Sequence, residues 1–95
     1  MNVFWVSSQS RPASVARAIA FALREASLVE IQAMGPRAVN QAVKAVTIAH
    51  KYLQHDGIDT VCVPQTSEAQ IDGQPRTIVK LIVKKHLSPP EASSE

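Results

Sequence analysis

A two-layer α/β sandwich of order βαβαββ, with a mixed four-stranded sheet and two helices on one face, is the fold class this 95-residue chain predicts. Three observations lead there. Two segments repeat apolar residues at helical spacing, the runs before and after them are rich in β-branched residues, and an Asp72-Gly73 pair separates the last two apolar runs. A βαβ start needs parallel neighbours joined by right-handed crossovers, which sets both helices on one side of the sheet. The opposite sheet face is then bare in a monomer.

Asn2 to Ser8 alternates Val and aromatic residues with polar ones and reads as a strand, with Val3 and Trp5 on one face and Phe4 and Val6 on the other. Apolar character on both faces suits a buried or interface strand. Ser10-Arg11-Pro12 then carries a helix-start signal, since Pro at the first helical position gives up an N–H that has no helical acceptor. Helix one runs to about Ala26, with Val15, Ala16, Ile19, Ala22, Leu23 and Ala26 as its core stripe. Phe21 and Ala18 fall off that stripe and form a second apolar patch, suited to a partner subunit.

Leu28 to Met34 reads as the second strand, closed by Gly35-Pro36. Helix two, Arg37 to Leu53, gathers Val39, Ala42, Val43, Val46, Ala49 and Leu53 on one face and Asn40, Lys44, Thr47 and Lys51 on the other. Thr60 to Val63 and Ile78 to Val83 read as strands three and four. Asp72-Gly73 supplies the positive φ of a tight hairpin turn, so pairing extended outward from it makes an arm projecting beyond the sheet. Pro75 marks that region as an edge, and Lys80, Lys84 and Lys85 read as edge-protecting charges. The segment 86–95 reads as a disordered tail following a single domain over 1–85.

Charge and composition narrow the function classes. Residues 1–85 hold ten basic groups against six acidic ones, a net +4, which permits phosphate binding without demanding it. Cys62 is the only cysteine, so no internal disulfide forms; a small buried side chain in a strand is its expected role. Met1 to Val6 is apolar for too few residues to be a leader or a membrane span, which makes the cytoplasm the expected compartment. His50 and His55 do not share a helical face and Cys62 lies on another element, so neither a metal nor a cofactor is expected. Asp56 and Asp59 flank Gly57, where short acids cap backbone donors. With no nucleophile elbow, Gly-rich phosphate loop or paired carboxylates, the chain is not expected to be an enzyme.

Several strings resemble one bacterial family closely: Ser14-Val15-Ala16, Glu30-Ile31-Gln32-Ala33-Met34-Gly35, Asn40-Gln41-Ala42-Val43-Lys44-Ala45-Val46, Ile71-Asp72-Gly73, and Arg76-Thr77 leading to Lys80-Leu81-Ile82-Val83. Over about Val3 to Val83 the chain resembles the stage V sporulation protein S family, and more distantly the archaeal Alba chromatin proteins. Ser10-Arg11-Pro12 is similar to the Alba Lys-Lys-Pro loop, and Ala33 to Ala38 to its Ala-Arg-Gly-Arg-Ala turn. The resemblance implies an Alba-like protomer, a homodimer, and DNA or RNA held between the dimer body and two hairpin arms; whether dimers pair into a tetramer is left open by the sequence. Ser10 and Met34 stand where that pattern has cations, and Pro36 lengthens the turn, so the phosphate surface carries less charge here.

Nucleic-acid binding of this kind uses cations along a groove together with backbone donors at helix starts. Arg11, Arg37, Lys44 and Arg76 are the candidate phosphate contacts, and Asn40 and Gln41 offer amides to phosphate, sugar or a base edge. Arg37 opposes the dipole of its own helix, an unusual choice unless an anion sits between them. The leading expectation is a nucleic-acid-binding homo-oligomer of low sequence preference, with no membrane partner. The alternative is a protein-interaction or assembly module of a sporulation or developmental pathway, in which the same basic groups only solubilise the surface.

Overall fold

In the computed structural model, which describes residues 2–86, the element order is β1 (Asn2–Val6), α1 (Pro12–Glu25), β2 (Leu28–Ala33), α2 (Pro36–His55), β3 (Asp59–Ile71) and β4 (Gln74–His86). The sheet order is β1-β2-β4-β3, with β1 and β2 parallel and both β2–β4 and β3–β4 antiparallel. This is the expected mixed sheet in βαβαββ order. The first strand stops two residues short of Ser8 because Ser7 and Ser10 close a turn: the Ser7 N–H donates to Ser10 Oγ (2.9 Å) and the Ser10 N–H to the Ser7 carbonyl (3.1 Å).

Register sorts the strand residues by face. Val6, Val29, Ile31, Ala33, Leu81 and Val83 point to the helix layer and are buried, where they meet Ile19, Leu23 and Leu53. The helices line this core with small residues, Ala16, Ala20, Ala42, Ala45 and Ala49, all almost fully buried. Alanine at those positions lets the helix backbones lie close to their neighbours without voids. The other sheet face is uncovered by either helix. It carries Val3 and Trp5 from β1, Glu30 and Gln32 from β2, Lys80 and Ile82 from β4, and Val61 and Val63 from β3.

The hairpin is longer than its apolar residues indicate. β2 ends where Ala33 faces Val79, so the pairs from Ser67↔Ile78 to Ile71↔Gln74 have no further strand beside them. That two-stranded arm reaches about 17 Å past the sheet at the usual strand rise. Asp72 (φ 51°) and Gly73 (φ 76°) are both left-handed, the backbone a two-residue hairpin turn requires.

Three expectations are corrected here. Lys80, Lys84 and Lys85 do not guard an edge, because β4 is interior to the sheet and the edges are β1 and β3; Lys80 Nζ instead stands 4.0 Å from Glu30 Oε2 on the uncovered face. Pro64 lies on the β3 edge, where its missing N–H costs no ladder bond. Asp56 and Asp59 are not engaged with backbone donors: Arg24 Nη2 and Nε donate to Asp56 Oδ2 (2.7 and 3.0 Å), and Asp59 faces His50 at 4.0 Å. Cys62 lies in a strand but is exposed. It shares the helix side with Val83; α2 reaches the outermost strand where His50 Nδ1 meets Thr60 Oγ1 (2.7 Å), but beside that contact the groove between α2 and β3 stays open at Cys62. The expected tail falls outside the described residues, except for His86, the last residue of β4.

Substituting Ala45→Leu is expected to lower unfolding free energy by about 1–3 kcal/mol through overpacking, measured by urea denaturation. Partial desolvation in its groove raises the Cys62 thiol above its ordinary value. The thiolate fraction at neutral pH is therefore reduced, so iodoacetamide labelling should run slower than for a free thiol and keep accelerating to higher pH.

Candidate nucleic-acid interface

Three structural features share one end of the sheet. Because β1 and β2 are parallel, their carboxyl ends lie together, and the loops leaving them start α1 and α2 at that end. β4 is antiparallel to β2, and the residues preceding Val79 run past Ala33, so the arm projects from the same end.

Both helix starts are electrostatically open. α1 has Arg11 as its N-cap and α2 has Gly35; neither cap makes a side-chain hydrogen bond, both helices begin with Pro, and neither has an acid in its first turn. The first intrahelical bonds run from Val15 N–H to the Arg11 carbonyl and from Val39 N–H to the Gly35 carbonyl, each 3.0 Å. The N–H groups of Ala13, Ser14, Arg37 and Ala38 therefore have no acceptor within their helices. Each start behaves as about half a positive charge. Gly35 takes φ 88°, and a Cβ there would meet nothing within 4 Å, so glycine is required by the backbone angle and not by crowding.

Arg11 and Arg37 are exposed at these two starts. Asn40 is exposed one turn along α2, and Lys44 one turn beyond it, on the polar side. Gln41 has a structural engagement: its Nε2 donates to the Ser10 carbonyl (2.9 Å), tying the loop before α1 to α2. Gln41 thus holds the relative position of the two helix starts. Arg76 stands on the arm opposite Ala69, exposed, about three residues past the end of β2. The arm itself is not basic. Glu68 and Asp72 outnumber Arg76 over residues 67–78, and Glu68 accepts a hydrogen bond from Thr77 across the hairpin (2.8 Å).

The site also contains a cleft of about 480 Å³ lined by Trp5, Val6, Ser7, Ser8, Met34, Gly35, Pro36, Arg37 and Ala38. In the sequence Trp5 reads only as a strand residue. The signal that marks it is placement: the last but one residue of an edge strand, ahead of a Ser-rich loop, has few neighbours to cover a large ring. Among the described residues no group of three or more His, Cys, Asp or Glu side chains could hold a metal ion. No helix among them is long and apolar enough to cross a membrane.

The fold is Alba-like: Alba from Thermoplasma volcanium superposes with a TM-score of 0.64 over 87% of this chain and 99% of its own, at 17% sequence identity. At that identity the likeness concerns architecture. The family model for stage V sporulation protein S matches residues 2–86, and the chain belongs to that family.

Gln41→Ala is expected to cost about 1 kcal/mol, the net value of one hydrogen bond, in chemical denaturation. Amide exchange in residues 7–11 should accelerate more than exchange in the sheet, since the lost contact anchors that loop.

Proposed function

We propose that this protein is a non-enzymatic, homo-oligomeric nucleic-acid-binding protein that recognises the phosphate backbone with little sequence preference. The observation that carries this reading is the pair of uncapped, acid-free helix starts at one end of the sheet, flanked by Arg11 and Arg37. Anions are favoured at such starts by free N–H groups and by the helix dipole together. Lys44 and Asn40 continue the surface along α2, and Gln41 fixes the loop that carries Arg11. Arg76 contributes least, because the acids of its own arm oppose it.

Membership of the sporulation family supports a regulatory role, and the Alba-like architecture is consistent with a nucleic-acid partner. Self-association is supported by large apolar side chains left in solvent, including Phe21 at 71% exposure, Val3 and Val63. A protomer with a net +4 over residues 1–85 doubles that charge in a dimer.

A second reading, an assembly module without nucleic-acid binding, draws on the same exposed apolar groups and on the acidic arm. The two differ in salt and charge dependence. With about four to eight phosphate contacts per dimer, the logarithm of the binding constant should fall against the logarithm of salt with slope roughly −4 to −7. Gel shifts with the double variant Arg37→Glu, Lys44→Glu should show retention lost while the oligomeric state in light scattering is unchanged. Retention unaffected by charge reversal would favour the assembly module.

A further inference from the structure

We infer that the ligand is single-stranded nucleic acid and that Trp5 is a stacking platform for an unpaired base, an inference that rests on the phosphate-binding reading above. Trp5 is 54% exposed although it belongs to a strand. Its strand is an edge, so only β2 flanks it, with Gln32 as its cross-strand neighbour. The Gln32 amide is engaged along its own strand, donating to Glu30. The indole is left about half in solvent and borders the cleft that also contains Gly35, Pro36 and Arg37.

This juxtaposition fits one nucleotide unit. A base needs an aromatic surface, and the adjoining phosphate needs donors and a cation; the cleft joins Trp5 to the start of α2 and to Arg37. Its volume lies within the range of small-ligand sites. Stacking is available to every base, so it suits a surface with little sequence preference. A duplex hides its base faces, and extruding one costs a few kcal/mol, so Trp5 adds affinity for single strands alone. The acidic arm agrees with this, because Glu68 and Asp72 oppose the close embrace of a second strand.

Trp5 is the chain's only tryptophan, so its emission reports directly on the ring. Titrating the full chain with oligothymidylate should quench that emission. Trp5→Ala, checked for folding by circular dichroism, should lower the ratio of single-strand to duplex affinity about tenfold, equivalent to about 1.4 kcal/mol, and Trp5→Phe should recover much of it. Binding of oligothymidylate with unchanged emission, or an unchanged affinity ratio in Trp5→Ala, would overturn the stacking role and leave the phosphate reading intact. Emission that responds to protein dilution but not to oligothymidylate would assign the ring to a contact with a second copy, against the inference. Failure of any nucleic acid to bind would defeat this inference and the reading beneath it.

Discussion

Parallel pairing of β1 with β2 is the constraint from which the candidate site follows. Two parallel neighbours cannot be joined by a tight turn, so the chain must cross back over the sheet through α1 and begin each helix at the same end. The register of β4 against β2 then decides what else stands there. Because Ala33 meets Val79, the twelve residues of the hairpin beyond that pair have nowhere to go but outward, past the helix starts. The core that enforces this is built from aliphatic strand residues and alanine-faced helices, with no buried polar group among the described residues. The charged candidates at the end where both helices begin, Arg11, Arg37 and Lys44, are exposed and lie outside that core.

That separation matters for the electrostatics. A helix start with a capping side chain or an early acid has satisfied its own donors and dipole; the two starts here have neither. Arg37 on α2 adds a charge of the same sign as the helix end that carries it. Like charges at one helix end cost stability when nothing is bound and gain when an anion arrives, which is the physical ground for the proposed phosphate contact there. The balancing contacts lie elsewhere: the Arg24–Asp56 pair joins the far ends of the two helices, exposed and worth about 1 kcal/mol or less.

Most of the fold was legible because core residues leave a period. Val15, Ile19 and Leu23 on α1, or Ile31 and Val83 in the sheet, recur at the spacing their element demands, and the resemblance in sequence added the topology. The extent of the hairpin was less legible. Over residues 66–71 one face of the arm is half-buried at Ser67, Ala69 and Ile71 and the other exposed, but only Ala69 and Ile71 are apolar, too short an alternation to mark a strand, so Asp72-Gly73 carries the signal that the strands continue. The fate of the lysines on β4 and of Cys62 depended on strand order, which local pattern does not contain. For the site, Arg11, Arg37 and Lys44 were visible as charges near helix-start signals. Gln41's bond to Ser10 and the openness of Trp5 were not, since both arise from residues brought together across the fold.

The central claim is that the ligand meets the end of the sheet where both helices begin. Backbone amide chemical shifts, followed by NMR while an oligonucleotide is titrated into the full chain, test it most directly. The largest changes are expected at Ala13, Ser14, Arg37 and Ala38, whose N–H groups lack helical acceptors, with smaller ones near Arg76. Changes concentrated at Asp56 and the opposite helix ends, or spread over the uncovered face around Ile82, would contradict it.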